Sequence, residues 1–158
     1  MDERDFKKIY DAYAKQLYNF ILWMSVDRSQ SDDILQSVFV KVWRSGGVPG
    51  QENERRAWLF AVARNTCIDF FRERARRAEC GESGLPCSAE PDGIDPTGTW
   101  REVAKLPFAE RAAIYFHIRM GYSYAEIGAM TGMTETNARV TAFRALRKLR
   151  NLLVRKEP

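Results

Sequence analysis

The sequence lacks the features of several common classes of protein. It has no run of about 18 uncharged apolar residues. Its first five residues do not have the basic and then apolar order of a signal peptide. Its three cysteines, Cys67, Cys80 and Cys87, do not have the spacing of metal ligands. We therefore expect a soluble, cytoplasmic protein with no metal, no other cofactor and no insertion into a membrane.

Residues typical of catalysis are also scarce. The sequence has one histidine, His117, and it has no glycine-rich phosphate loop, metal triad or nucleophile elbow. A catalytic histidine needs an orienting carboxylate and a substrate cleft, and the sequence indicates neither. We interpret His117 as a structural residue, and we predict no catalytic residue and no small-molecule substrate.

Charge is unevenly distributed along the chain. Residues 1–78 carry 14 basic and 11 acidic side chains, residues 79–98 carry five acidic and no basic ones, and residues 99–158 carry eleven basic and five acidic ones. The middle segment has no apolar period and cannot bury enough surface to offset its ordering entropy. The sequence therefore predicts two domains, 1–78 and 99–158, joined by a flexible acidic linker, although any solvated linker is polar.

Apolar residues recur every three or four positions in three segments of the first domain, as in helices with one buried face. The first set is Phe6, Tyr10, Tyr13, Leu17, Ile21 and Met24, the second is Ile34, Leu35, Val38, Phe39, Val42 and Trp43, and the third is Trp58, Leu59, Val62, Ala63, Cys67, Phe70 and Phe71. Ser31 and Asn53 are predicted to cap the second and third helices, with Asp32 and Asp33 in the second helix's first turn. No strand-like alternation intervenes, so the predicted fold class is all-α, with two small helical domains.

The second domain has the pattern of a helix-turn-helix. Pro107 suits the first turn of a helix that ends at Gly121. Ser123 and Glu126 form a capping box for a short helix that ends near Gly132, and Thr134 can cap the last helix. The predicted buried face of that helix contains Ala138, Ala142, Ala145, Leu146, Leu149 and Leu153.

The opposite face of the last helix is basic and polar. At 100° per residue, Thr136, Val140, Phe143, Arg144 and Arg147 point away from the buried alanines. Guanidinium groups can contact guanine or phosphate, apolar groups can contact a thymine methyl, and a hydroxyl or Asn137 can contact the DNA backbone. The alternative is that the seven basic residues between Arg139 and Lys156 only keep a terminal helix soluble. The capped turn before them favours DNA binding.

The third helix of the first domain also combines an aromatic residue with arginines. Trp58 and Asn65 lie near a set of basic residues, which are Arg55, Arg56, Arg64 and Arg72. Aromatic rings can stack on unpaired bases while arginines hold phosphates. Tryptophan is also a common core residue, so Trp58 alone does not decide between the two roles.

Three motifs in this order resemble those of the extracytoplasmic-function sigma factors, the smallest group of the sigma-70 family. Segment 32–44, DDILQSVFVKVWR, resembles their polymerase-binding helix. Segment 57–69, AWLFAVARNTCID, resembles their promoter-melting and minus-10 recognition segment. Segments 106–111, LPFAER, and 121–128, GYSYAEIG, resemble the start of their minus-35 domain. The motifs span nearly the whole chain, and the acidic linker separates the second from the third.

The resemblance implies a dissociable specificity subunit of RNA polymerase that is not an enzyme. Such a protein binds core polymerase at its clamp and flap, melts the minus-10 element and reads the minus-35 duplex. The implied partners are core RNA polymerase, promoter DNA and an anti-sigma factor. The implied architecture is a sigma-2-like helical bundle followed by a sigma-4-like helix-turn-helix domain.

The residue patterns and the resemblance together predict three sets of site residues. The clamp contacts are Asp33, Gln36, Ser37 and Val40. The minus-10 contacts are Trp58, Arg64, Asn65 and Arg72, of which Asn65 matches a base-capture position. The minus-35 contacts are Thr136, Asn137, Arg139, Val140, Phe143, Arg144 and Arg147, of which Arg139, Phe143 and Arg144 match family positions.

Four residues depart from the family pattern. Ser37 stands where an acidic residue is usual, Gly128 replaces alanine, Thr131 replaces an aliphatic residue and Thr141 replaces a common arginine. We expect weaker clamp affinity from Ser37, a looser helix-turn-helix from Gly128 and Thr131, and a lost phosphate contact from Thr141.

Two other functions fit parts of the sequence. A stand-alone repressor or activator could use the same helix-turn-helix and would bind duplex DNA tightly without polymerase. A redox or metal sensor could use Cys80 and Cys87, but the acidic segment around them does not favour the thiolate form.

Overall fold

The computed structural model describes residues 1–25, 27–80 and 102–155, and every regular element in these ranges is helical. The chain divides into two compact units, Met1–Glu90 and Pro91–Pro158, which confirms the all-α prediction with two helical domains. Beyond Cys80, the predicted acidic linker lies outside the described residues. No helix in the described ranges is long and apolar enough to cross a membrane.

The described residues of the first unit form three helices: α1 spans Glu3–Ser25, α2 spans Arg28–Arg44 and α3 spans Glu52–Glu79. Helices α1 and α2 each bury four of their six predicted apolar residues, because residues three or four apart share one helical face. Helix α3 buries three of its seven, which are Leu59, Ala63 and Cys67. Phe20 of α1 and Phe60 of α3 meet edge to face with ring centroids 5.7 Å apart. The largest fully buried side chains of this unit are Leu17, Phe20, Ile21, Met24, Ile34, Val38, Val42, Leu59 and Phe60.

The predicted cap of α2 is wrong by one turn. Asp27 occupies the N-cap position, and its carboxylate accepts a hydrogen bond from the Gln30 backbone N–H at 3.2 Å. Ser31 lies inside the helix and is buried, where its Oγ donates to the Asp27 carbonyl oxygen at 2.6 Å and lies 2.6 Å from Ser25 Oγ. The two aspartates after Ser31 therefore lie in the second turn of α2, one turn later than predicted.

Helix α3 begins earlier than predicted, because Gln51 and not Asn53 occupies its N-cap position. The Gln51 side chain makes no capping hydrogen bond. The loop before the helix is held by Arg55, whose Nε donates to the Pro49 carbonyl oxygen at 3.0 Å and whose Nη2 donates to the Gly50 carbonyl oxygen at 2.7 Å. Because charged donors make strong hydrogen bonds, this guanidinium stabilises the loop at the start of α3.

The second unit contains helix α4 over Phe108–Ile114, a π-helical segment over Tyr115–Arg119, helix α5 over Tyr124–Thr131 and helix α6 over Glu135–Arg155. Both α4 and α5 pack against α6, which presents small alanine side chains to them. Small side chains let helices approach closely. The buried residues of this unit include Val103, Leu106, Ala112, Ala113, Ile114, Phe116, Ile127, Ala138, Ala142 and Ala145.

The single helix predicted before Gly121 is wrong in two details. Pro107 precedes α4 as its N-cap residue and does not form its first turn. Over Tyr115–Arg119 the backbone turn widens, and the Met120 N–H donates to the Tyr115 carbonyl oxygen, five residues back, at 3.1 Å. Gly121 then ends the element with a φ of 75°, a conformation that glycine adopts without steric cost.

Candidate polymerase and nucleic-acid interfaces

The four predicted clamp contacts lie together on the outer face of α2. At 100° per residue, Asp33, Gln36, Ser37 and Val40 fall within about 100° of one another and point away from the buried stripe. Asp33, Gln36 and Val40 are exposed, and Ser37 is half-buried. This face therefore offers a carboxylate, an amide, a hydroxyl and an apolar group to a partner.

An aromatic groove beside this face is absent from the sequence predictions. Phe6 meets Phe39 and Trp43 edge to face, with ring centroids 6.0 Å and 5.2 Å apart, and Tyr10 meets Phe39 at 4.7 Å. Trp43 and Tyr10 were both predicted to lie on buried faces, but they are 46% and 45% exposed. Val40 of the clamp set lines the same groove. Exposed aromatic residues are typical of protein interfaces, so the groove extends the candidate partner surface.

Three of the four predicted minus-10 contacts share one face of α3. Trp58, Asn65 and Arg72 follow one another at seven-residue intervals, which places them within about 40° around the helix and about 10 Å apart along it. Arg64 flanks this face, and its Nη1 donates to Asn65 Oδ1 at 3.1 Å. Asn65 and Arg72 are exposed, while Trp58 and Arg64 are half-buried. Burial lowers the pKa of Arg64 from its ordinary value, but a guanidinium stays charged at neutral pH.

A hydrogen-bonded lysine joins α2 to α3. Lys41 Nζ donates to Thr66 Oγ1 at 3.0 Å and to Asp69 Oδ2 at 3.1 Å. The Thr66 hydroxyl is buried and in turn donates to the Val62 carbonyl oxygen at 2.7 Å. This contact joins the helix that carries the predicted clamp contacts to the helix that carries the predicted minus-10 contacts.

The predicted helix-turn-helix caps are confirmed. The Glu126 N–H donates to Ser123 Oγ at 3.2 Å, and the Ser123 N–H donates to Glu126 Oε2 at 3.3 Å, which completes the capping box. Gly132 ends α5 with a φ of 76°, in the left-handed region. Thr134 Oγ1 then accepts a hydrogen bond from the Asn137 N–H at 3.1 Å and caps α6. The turn is therefore closed by local hydrogen bonds on both sides.

Gly128 is tightly packed, and this packing does not support the looser turn expected from it. It is buried, and a Cβ added to it would lie 2.6 Å from the Met133 carbonyl oxygen and 3.3 Å from the Thr134 carbonyl carbon. The absence of a side chain lets the turn approach α5 closely. The half-buried Thr131 donates its hydroxyl hydrogen to the Ile127 carbonyl oxygen at 2.7 Å, so its polar group is satisfied within the helix.

The predicted minus-35 contacts all lie on the exposed face of α6. The exposed residues are Thr136, Asn137, Arg139, Val140, Phe143, Arg144 and Arg147. Among the apolar residues of this set, Phe143 is the more exposed, at 60%. Leu146, which was predicted to be buried, is 36% exposed and lies at the edge of this face. Thr141 donates its hydroxyl hydrogen to the Asn137 carbonyl oxygen at 2.7 Å.

An ion pair joins the C-terminal half of α6 to α4. Lys148 Nζ donates to Glu110 Oε1 at 2.8 Å, and the Glu110 carboxylate is buried. A buried carboxylate requires a charged or hydrogen-bonding partner, because its desolvation is costly. The pair therefore sets the position of the recognition helix in its unit.

His117 packs within the second unit, as expected of a structural residue. Its Nδ1 lies 2.9 Å from the Tyr122 carbonyl oxygen, and its ring stacks on Tyr124. Cys67 is buried and Cys80 is exposed, while Cys87 lies outside the described residues. Within the described part of the chain, no three His, Cys, Asp or Glu side chains are grouped as a metal ion would require.

A helix-turn-helix with a basic outer face is typical of DNA-binding proteins, and the aromatic and basic face of α3 is a candidate for a second nucleic-acid surface in the other unit. The comparisons with known families agree with this class. The sigma-70 region 2 family matches residues 9–77, and the sigma-70 region 4 family matches residues 99–149.

Curated relatives match over most of their length. The ECF RNA polymerase sigma factor SigL of Mycobacterium tuberculosis is 31% identical over 152 residues, which cover 91% of this chain and 86% of SigL. SigX of Bacillus subtilis is 26% identical over 161 residues, which cover 94% of this chain and 83% of SigX. The chain belongs to the extracytoplasmic-function (ECF) sigma factors of the sigma-70 family, which are specificity subunits of RNA polymerase and not enzymes.

Solved structures agree on the fold. The sigma factor RpoE from Bartonella quintana, in complex with the anti-sigma factor NepR, has a TM-score of 0.79 and 22% identity, with 98% of this chain and 99% of RpoE covered. CnrH, in complex with the cytosolic domain of CnrY, has a TM-score of 0.70 and 24% identity, with 99% of this chain and 92% of CnrH covered.

Proposed function

We propose that this ECF sigma factor divides promoter recognition between its two units. Residues 1–78 bind the polymerase clamp and capture minus-10 DNA, residues 99–158 read the minus-35 duplex, and the acidic segment 79–98 connects them. The observation that carries the proposal is that each set of predicted contacts lies on the outer side of a helix whose other side is buried. Such surfaces are available to partners without any change in the core.

The clamp interaction combines a polar and an apolar part. Asp33 and Gln36 supply a charge and an amide, and Ser37 supplies a hydroxyl where the family usually has a second acid. Val40 continues into the aromatic groove, where Tyr10 and Trp43 are exposed. Aromatic anchors carry much of the energy of protein interfaces, while charged groups give orientation and association rate. The groove therefore supplies affinity that Ser37 does not.

Capture of an unpaired minus-10 base occurs on α3. Trp58 offers a ring for stacking, Asn65 offers hydrogen-bond donors and an acceptor for a base edge, and Arg72 holds phosphate further along the same face. Stacking of a base on an aromatic side chain contributes about 1–3 kcal/mol. That is comparable with the few kcal/mol needed to unstack a base, so captured bases offset the cost of melting.

Readout of the minus-35 duplex occurs through α6. Arg139, Arg144 and Arg147 are exposed guanidinium groups that can bind guanine O6 and N7 or phosphates. Val140 and Phe143 add apolar contacts of the kind that recognise a thymine methyl group. Thr136 and Asn137, in the first turn of α6, suit backbone contacts that set the register of the helix in the groove.

The proposed partners are core RNA polymerase, at its clamp and flap, promoter DNA and an anti-sigma factor. The structural relatives RpoE and CnrH were solved in complex with NepR and with the cytosolic domain of CnrY. An anti-sigma protein that covers α2 and the aromatic groove would compete with the clamp. The proposed location is the cytoplasm, without insertion into a membrane, since the polymerase and its DNA are there.

Three variants with matched controls test the assignment of the surfaces. Asp33→Ala is compared with Asp32→Ala, its exposed neighbour outside the clamp set. Asn65→Ala is compared with Asn53→Ala, which lies at the start of the same helix. Arg144→Ala is compared with Arg119→Ala, an exposed arginine outside α6.

Each pair has its own measurement with purified core polymerase. We expect Asp33→Ala to weaken holoenzyme formation, measured by fluorescence anisotropy. Asn65→Ala is expected to leave holoenzyme formation intact but reduce permanganate-reactive thymines at the minus-10 element. Arg144→Ala is expected to reduce run-off transcription only from promoters that depend on their minus-35 element. A control variant that loses as much signal in the assay as the variant it is paired with would contradict the assignment. Tight binding of duplex DNA by the protein, with no formation of holoenzyme, would identify a stand-alone regulator.

A further inference from the structure

Tyr124 connects three elements of the second unit. It is the first residue of α5 and is half-buried. The ring of His117, from the π-helical segment, stacks on it with centroids 4.3 Å apart and an interplanar angle of 20°. His117 is itself held by the 2.9 Å contact of its Nδ1 with the Tyr122 carbonyl oxygen. The Tyr124 ring therefore has a fixed position against the π-helical segment.

Arg139 of α6 also contacts this ring. Its guanidinium carbon lies 5.5 Å from the centroid of Tyr124, which is within the range of a cation–π interaction. A second contact, to Glu135 Oε1 at 3.4 Å, joins two exposed side chains one turn apart. Such exposed pairs hold a long side chain weakly, so the aromatic ring is the more rigid support.

An arginine that is held before binding has an advantage in base readout. A free arginine side chain has many rotamers and loses this freedom when it binds a base edge. A guanidinium that lies against a fixed ring has lost part of that freedom already, so less is lost on binding. The advantage applies most to a contact that needs a defined geometry, such as two hydrogen bonds to one guanine.

We propose that Tyr124 is a positioning residue for minus-35 specificity, acting through Arg139. The inference rests on the proposed function, in which Arg139 contacts the minus-35 duplex. Tyr124 itself touches no base in this proposal. It orients the guanidinium that does, and its effect is confined to the base pair or pairs that Arg139 recognises.

The test uses the full chain assembled with core polymerase and a panel of promoters that carry single substitutions through the minus-35 element. Run-off transcription from each promoter gives a discrimination ratio at each base pair. Arg139→Ala first identifies the base pairs at which Arg139 discriminates. Tyr124→Leu removes the aromatic face but keeps an apolar side chain, and Tyr124→Phe keeps the face and removes only the hydroxyl. The double variant Tyr124→Leu/Arg139→Ala measures their coupling.

We expect Tyr124→Leu to reduce discrimination about two- to fivefold, the loss of an exposed cation–π contact, at the base pairs found with Arg139→Ala and at no others. Tyr124→Phe retains the parent profile, and the double variant matches Arg139→Ala. The positioning role is overturned if Tyr124→Leu lowers transcription equally from all promoters, leaves every ratio unchanged or adds fully to Arg139→Ala. An Arg139→Ala profile that equals the parent profile instead overturns the proposed DNA contact of Arg139, and the positioning role with it.

Discussion

Replacement of Gly128 by alanine tests how the helix-turn-helix is built. Alanine is favoured over glycine inside a helix by about 0.5–1 kcal/mol. Against this gain, the new Cβ would lie 2.6 Å from the Met133 carbonyl oxygen and 3.3 Å from the Thr134 carbonyl carbon. Both are backbone atoms, and an extra methyl group in a packed site costs about 1–3 kcal/mol. We therefore expect a net destabilisation of about 1 kcal/mol in the second unit.

Hydrogen exchange of the full chain, followed by mass spectrometry on peptides from α5 and α6, measures this change locally. A loss of 1 kcal/mol corresponds to about fivefold faster exchange of amides that open with the unit. The control Ala129→Gly is at the exposed neighbouring position and measures only the difference in helix propensity between alanine and glycine. A Gly128→Ala protein that exchanges as slowly as the parent, or more slowly, would refute the steric reasoning.

Two further predictions concern ion pairs. Lys148→Met leaves the buried Glu110 carboxylate without its donor at 2.8 Å, so we expect the second unit to lose about 1–3 kcal/mol of stability, measured by hydrogen exchange. The control Arg150→Met is expected to lose less than about 0.5 kcal/mol of stability. Equal losses of stability in the Lys148→Met and Arg150→Met proteins would show that the ion pair of Lys148 with Glu110 does not stabilise the unit. Lys41→Met removes a largely exposed contact with Asp69, so we expect the first unit to lose less than about 1 kcal/mol in urea unfolding. A decrease of more than about 2 kcal/mol in the free energy of unfolding would contradict the view that Lys41 and Asp69 form a weak surface ion pair.

Local sequence patterns predicted some helix ends and missed others for a physical reason. Ser123 and Glu126 bond each other's backbone N–H groups, so two residues at a defined spacing identify that cap. At α2, both Asp27 and Ser31 have side chains that suit a cap. Burial of Ser31 beside Ser25 decides between them, and that contact depends on how α1 meets α2.

The outer faces of the helices could be predicted because a period of 100° per residue places side chains without knowledge of their neighbours. The aromatic groove could not, since the exposure of Trp43 depends on Phe6 of another helix. The close approach at Gly128 and the contact of Tyr124 with Arg139 also join residues of different elements. Sequence patterns predicted the candidate binding faces, whereas the contacts between elements that shape these faces required the packed structure.

Run-off transcription with core RNA polymerase from the source bacterium, on a genomic DNA library with sequencing of the transcript 5′ ends, tests the central claim most directly. The account predicts start sites that appear only when this protein is added and that share one minus-35 and one minus-10 element at constant spacing. Start sites that are the same with and without the protein would contradict it.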